Sequence, residues 1–321
     1  MELFATEDNP VPKGAQVAAF EGYGGVPIRY ALWRPSGGIN QGTVCLFGGR
    51  GEYIEKYFET IADLRARGFG VATMDWRGQG GSGRLLANPR KGFVDSFADY
   101  DRDLAKFMRE VVMPDCTPPY FGLGHSTGAH ILLRSSRRHA AWFDRLVLTS
   151  PLIRLPGSRA RLNAICAGAE IMTYLGFGAA YAPGGGDMPS DAVPFKKNIL
   201  TRDPVRLARN ANILKMAPQL AVGGPTIQWV QAACRSMAEL ARPGFPQTVG
   251  VPLLIFGGSD ERLVSASAME HLAHEIRVGS YLMIPGARHE ILMETNRIRD
   301  EFWAAFDVFV PGTPGFSSIV A

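Results

Sequence analysis

The sequence predicts an α/β fold: an eight-stranded, mostly parallel, doubly wound sheet with an inserted helical segment. Three observations predict it. Short apolar runs alternate with longer amphipathic stretches, glycine is abundant at 37 of 321 residues, and the alternation lapses once, between residues 154 and 248. Strands covered by crossover helices on both faces read as apolar runs, as these do. At 46% hydrophobic and 20% charged, the composition is globular and excludes a disordered chain. The net charge is only +4 and the basic residues are scattered, so no nucleic-acid partner is expected.

The elements follow in order. Residues 15–20 and 28–33 flank the glycine-rich turn Glu21-Gly22-Tyr23-Gly24-Gly25 and form an antiparallel hairpin at a sheet edge. Further strands are expected at 43–47, 70–74, 120–123, 146–149, 252–256 and 280–284, with helices such as 57–67 and 97–112 between them. Residues 154–248 show no convincing β-run, only helical stretches at 160–174, 204–216 and 226–241 broken by glycines. An insertion of that length is not a plain connection. It is expected to be a helical cap over the carboxyl edge of the sheet, where open α/β folds bind ligands, leaving 1–153 and 249–321 as the core. The tail after Pro311 reads as a loose end.

The cysteines, Cys45, Cys116, Cys166 and Cys234, lie 50 or more residues apart and form no metal knuckle. They are expected to be free, mostly buried thiols in a reducing compartment. The acidic N-terminus has no basic segment leading into an apolar run, which points to the cytoplasm. The longest apolar stretch, 162–182, contains Asn163, Glu170 and several glycines, which are too costly for a membrane span.

The strongest chemical signal is Gly124-His125-Ser126-Thr127-Gly128, placed after the strand 120–123 and opening a helical pattern over 127–138. A strand-to-helix turn of this kind holds a serine in a strained, exposed position, and the flanking Gly124 and Gly128 remove side chains that would collide. A serine hydroxyl needs a base and an acid that orients the base. Of six histidines, His289 sits on the loop after the last core strand. His271 and His274 fall in a helical pattern, His130 and His139 lie on the helix after the serine, and His125 is on the turn itself. The acid is expected from the loop after strand 252–256, where Asp260 stands, with Glu261 the weaker stand-in and Asp75 the competitor after strand 70–74. The order Ser126, Asp260, His289 distinguishes this arrangement from other serine triads. The oxyanion that develops at the substrate carbonyl needs two backbone donors. The amide of Thr127 and that of Arg50, in the loop Gly48-Gly49-Arg50-Gly51-Glu52, are the candidates.

Together with Asp75-Trp76-Arg77-Gly78-Gln79-Gly80-Gly81-Ser82 and Ser259-Asp260, these motifs resemble the lysophospholipase and monoacylglycerol lipase branch of the α/β-hydrolases, also classed with the serine aminopeptidase-like hydrolases. The likeness covers roughly residues 14–153 and 249–309. It implies an α/β-hydrolase fold and hydrolysis of a single-chain acyl ester, without metal or cofactor. Two positions depart from the family pattern: Gly48 stands where the family has histidine before its oxyanion loop, and Gln79 replaces the histidine of the Asp-x-Arg-Gly-His-Gly segment. A carboxylesterase, lactonase or aminopeptidase-like activity on a compact substrate is the alternative, and a non-catalytic binding protein of the same fold is a remoter one.

The cap carries more apolar residues than a thin layer needs, among them Ile165, Ile171, Met172, Leu175, Phe177 and Trp229. An acyl tunnel would use that surplus. Arg159, Arg161, Lys196, Lys197, Arg202 and Arg206 would offer charge to a phosphate or an anionic membrane, making the cap the place for peripheral contact with a membrane's inner face. A solvated face explains the same charges more simply. Oligomeric state is not legible.

Overall fold

The computed structural model describes residues 1–37, 39–137 and 142–310. Eight strands form one sheet in the order β1-β2-β4-β3-β5-β6-β7-β8. They are β1 (Gln16–Glu21), β2 (Pro27–Trp33), β3 (Thr43–Phe47), β4 (Gly70–Met74), β5 (Tyr120–His125), β6 (Arg145–Thr149), β7 (Leu253–Gly258) and β8 (Gly279–Ile284). The β1–β2 hairpin is antiparallel and joins β4 antiparallel, and every other pairing is parallel. The expected edge hairpin and the mostly parallel sheet are both present.

Side chains alternate along each buried strand and fill two core layers. On one face Cys45, Phe47, Ala72, Met74, Leu146 and Leu148 pack under α2 (Phe97–Phe107), α4 (Thr127–Ser136) and α8 (Ala266–Glu275). On the other, Val44, Leu46, Val71, Leu123 and Phe256 pack under α1 (Phe58–Ala66) and α9 (Asn296–Phe309). A short helix, α3 (Met113–Asp115), follows a π-helical turn after α2.

Between β6 and β7 the chain forms α5 (Arg159–Met172), α6 (Pro204–Met216) and α7 (Ile227–Leu240). Two of these start at strong caps: Asp203 accepts the amides of Val205 and Arg206 at 2.8 and 2.9 Å, with Pro204 at the first helical position, and Thr226 accepts the amide of Trp229 at 3.2 Å. The helix α7 is not a detached cover. Its Trp229, Ala233, Met237 and Leu240 belong to the first core layer. After α5 the chain passes through a π-helical turn and breaks at Gly176, whose φ is 89°. No helix among the described residues is long and apolar enough to cross a membrane.

The cysteines correct the expectation of free thiols. Cys166 and Cys234 form a disulfide joining α5 to α7, while Cys45 is buried and free and Cys116 is half-buried and free. Their separation of 68 residues hid a pairing that antiparallel helix packing creates, with Cα atoms 5.6 Å apart and within bridging range. The inference of a reducing compartment from unpaired thiols therefore fails for this pair. Arg138, His139 and the tail from Pro311 onward, all used in the sequence reading, lie outside the described residues.

Candidate active site

Strand β5 ends at His125 and α4 begins at Thr127, leaving Ser126 between them at φ 50° and ψ −110°. A non-glycine residue at positive φ is strained and persists only where its surroundings hold it. Here the amide of Ser126 donates to the Thr149 carbonyl at 2.9 Å and its carbonyl accepts the His130 amide at 3.0 Å. The flanking glycines make the turn possible. A Cβ at Gly124 would lie 2.7 Å from the Cα of Ala129, and one at Gly128 would lie 2.5 Å from the carbonyl oxygens of Phe47 and Gly48.

The turn presents Ser126 Oγ to His289, 3.0 Å from Nε2. The other ring nitrogen, Nδ1, lies 2.7 Å from Oε2 of Glu261. That carboxylate assigns the ring proton to Nδ1 and leaves Nε2 free to accept the serine proton. Burial pushes the His289 imidazole down, but the adjacent Glu261 carboxylate outweighs it and the net effect is a raised pKa. Burial pushes Glu261 the other way, yet the His289 ring and the amides of Leu263 and Val264 hold it down at about 2.

This corrects the acid. Asp260 does not reach His289; its half-exposed carboxylate pairs with Arg202 instead. The reason is where β7 ends. The strand runs two residues past the predicted Phe256, to Gly258, and the Asp260 amide then donates to the Ala287 carbonyl at 2.9 Å. That turn sends the Asp260 side chain outward and the next one, Glu261, inward, where its extra methylene supplies the reach. The other competitor, Asp75, is occupied below the site by Arg29 and by the amides of Ile54 and Gly81.

The loop expected to hold the oxyanion follows β3. Gly49 approaches the nucleophile so closely that a Cβ there would lie 3.1 Å from the Cβ of Ser126. Among the described residues no protein acceptor takes the amide of Arg50 or Thr127. The two departures from the family pattern find their explanation here. Gln79 grips the loop by accepting the Gly51 amide at 3.0 Å and donating Nε2 to the carbonyls of Gly49 and Glu52 at 2.8 and 3.0 Å. The carbonyl of Gly48 takes the indole N–H of Trp76 at 2.9 Å, so the loop is pinned there without a side chain.

Glu52 closes the loop by accepting the Gly49 amide and the Tyr57 hydroxyl. It also pairs with Lys56, which is wholly buried and reaches Asp191 at 3.0 Å and Glu290 at 2.7 Å. Sequence reasoning named none of Lys56, Asp191 or Glu290, because partners so far apart leave no local pattern. The ring of His125 lies 4.8 Å from that of His289, centroid to centroid, and burial pushes it down to about 4, so it stands neutral beside the base. Among the described residues no three His, Cys, Asp or Glu side chains converge as metal ligands would.

A family model describing the serine aminopeptidases S33 matches residues 38–296. Lysophospholipase L2 of Escherichia coli strain K12 is 35% identical over 294 residues, covering 88% of this chain and 83% of its own. A monoacylglycerol lipase of Mycolicibacterium smegmatis is 25% identical over 285 residues, covering 87% and 91%. A thermostable carboxyl esterase from Bacillus coagulans superposes with a TM-score of 0.75 at 22% identity over 94% of this chain and 99% of that one. A monoglyceride lipase from Saccharomyces cerevisiae gives 0.71 at 21% over 93% and 96%. These two superpositions establish the fold. With the family model spanning most of the chain, the protein belongs to the serine aminopeptidase S33 family of α/β-hydrolases and is a serine hydrolase.

Proposed function

We propose that the protein hydrolyses the carboxylic ester of a single-chain lipid, a lysophospholipid or monoacylglycerol, through an acyl-enzyme on Ser126. The observation that carries this reading is the unbroken chain from Ser126 Oγ to His289 Nε2 at 3.0 Å and from His289 Nδ1 to Glu261 at 2.7 Å, set on a strained turn. Ser126 attacks the carbonyl carbon while Nε2 takes its proton. The negative oxygen is held by the amides of Arg50 and Thr127. As the intermediate collapses, the imidazolium returns that proton to the departing alcohol, and Glu261 stabilises the ring while it is charged. Water, deprotonated by His289, then attacks the acyl carbon and releases the fatty acid and Ser126.

Residues 154–248 serve as the cap. The lipid assignment draws on the L2 relative and on the apolar side chains that the cap leaves in solvent. Ile165, Ile171, Met172, Tyr174, Leu175 and Phe177 are all exposed on α5 and the turn that follows it, Tyr174 by 90%. A run of exposed apolar side chains of this kind fits contact with a lipid surface or an acyl chain.

The test is a panel of p-nitrophenyl esters of rising chain length, with lysophosphatidylcholine and a monoacylglycerol, against Ser126→Ala. Turnover of the lipid esters that the variant abolishes is expected. Preference for acetate would favour the compact-substrate alternative, and no turnover above the variant on any ester would overturn the reading.

A further inference from the structure

One stretch of the inserted segment, residues 198–203, lies across the loop that carries His289 and is fastened to it on both sides of that residue. Before it, Arg288 donates Nη1 to the carbonyls of Asn198 and Thr201, each at 2.9 Å. After it, the Glu290 amide donates to the Leu200 carbonyl at 2.8 Å, and the Thr201 hydroxyl donates to the Met293 carbonyl at 2.7 Å. At the centre stands Glu294, wholly buried. Its Oε1 accepts the Arg288 amide at 2.8 Å and its Oε2 accepts the Arg202 amide at 3.0 Å. The same carboxylate thus holds the residue next to the base and the strap above it. Arg202 then closes the ring by pairing with Asp260, the neighbour of Glu261.

We infer that residues 198–203 are a strap that positions the base, with Glu294 as the clasp and positioning residue, so that the placement of His289 depends on the cap being docked. The inference rests on the proposed roles of Ser126, Glu261 and His289. Its physical basis is that a buried carboxylate shared by two amides fixes both backbones at once. An ångström of drift in a general base costs about a hundredfold in rate. Asp260 acquires a role here too, since it anchors the strap's outer end.

The groups that face the imidazole from each packed element set its pH behaviour: Glu261 from the β7 loop, Ser126 and His125 from the elbow, Glu52 from the oxyanion loop, and Glu290 from its own loop, with Lys56 between the last two. Drift of His289 away from Glu261 removes the main raising influence and leaves burial, which lowers, opposed only by the smaller pull of Glu290 and Glu52. The acid limb of the pH profile should therefore move to lower pH.

The experiment compares Glu294→Gln with wild type on p-nitrophenyl butyrate, because glutamine retains only one acceptor oxygen and cannot serve both amides. Expected are a fall in kcat of about thirty- to a hundredfold, a KM within about twofold, and an acid limb displaced to lower pH. The rate at which a fluorophosphonate labels Ser126 should fall in parallel. Thr201→Val, which cuts another of the strap's ties, should repeat the same split more weakly and serves if Glu294→Gln does not fold. Unchanged kcat in either folded variant, or a fall with the acid limb unmoved, overturns the strap. Ser126→Ala and Glu261→Ala run alongside separate the two claims. Their inactivity beside a wild-type Glu294→Gln sinks the strap alone, whereas full activity in them sinks the triad on which it rests.

Discussion

The two halves of the proposed cap are tied to the core in different ways. The half around α6 is tied down by charge: Arg206 pairs with Glu59 and Asp203, Arg209 with Glu59, and Arg202 with Asp260. Its Ile213 and Leu214 pack against Tyr53 in a small core of their own, while Val205 and Met216 at the ends of α6 stay exposed. The half around α5 carries, among the described residues, an exposed ion pair of Glu170 with Arg235 and a covalent tie, the disulfide to α7. Its large apolar side chains face out. Apolar surface left in water is costly, at roughly 25 cal/mol per Å², so a helix that keeps it is shaped for something other than its own packing. On the proposed reading, one half serves the catalytic groups and the other is available to substrate.

The sharpest way to break that comparison lies at two adjacent residues. Glu261 serves the base and Asp260 serves the strap, so their loss should differ in kind. Glu261→Ala should lower kcat by about four orders of magnitude, the scale on which loss of the correct imidazole tautomer is felt. Asp260→Asn removes a half-exposed ion pair, which is worth little in water, and should cost less than about tenfold. The pH profile gives the sign independently. Activity on the acid side rises as His289 loses its proton, and Glu261 is what holds that pKa up. Without it the residual activity should rise at lower pH than in wild type, as steady-state rates from pH 4 to 9 would record. Equal losses in the two variants would return the acid role to Asp260.

A smaller effect is expected in the other half. Leu175 and Phe177 are more than half exposed beyond α5. Replacing both with serine should leave turnover of p-nitrophenyl acetate within about twofold, while raising KM about tenfold for long-chain lysophosphatidylcholine. That is the size expected from losing partial burial of two large apolar groups. An equal change on both substrates would mean that this half, too, supports the catalytic groups.

What was legible in the sequence follows the same division. All eight strands were, the inner ones because a buried strand between two helical layers writes its pattern locally and the edge hairpin because of its glycine-rich turn, and so was the serine, because its turn demands glycine at fixed offsets. His289 was found from chain order alone. The acid was misassigned by one residue, because which of two neighbouring carboxyls points inward depends on where β7 stops, and Gly257-Gly258 gives no local stop signal. The hydrogen bonds of Gln79 and the reach of Lys56 to Asp191 and Glu290 cross the fold and have no sequence period at all. The apolar residues of the cap were rightly noticed, but their split into buried Ile213, Leu214 and Trp229 and exposed Ile171, Leu175 and Phe177 is decided by tertiary packing.

The least effect on chemistry and the most instructive one on architecture should come from the cystine. Cys166–Cys234 ties α5 to a helix, α7, that is itself part of the core, and it lines a cleft of about 940 Å³ with Leu162, Leu240 and Leu272, none of the triad residues being in its wall. A disulfide typically stabilises by about 2–4 kcal/mol, mainly by restricting the unfolded chain. Cys166→Ser paired with Cys234→Ser should accordingly lower Tm by several degrees, while kcat on p-nitrophenyl acetate stays within about twofold, since among the described residues no hydrogen bond or ion pair joins α5 to the strap or to the loop 48–52. Hydrogen exchange should locate the loosening in residues 159–177 and leave 198–216 protected. Protection lost across both stretches together would show that the halves open as one unit, and the division of the cap into an anchored and a free half would fall.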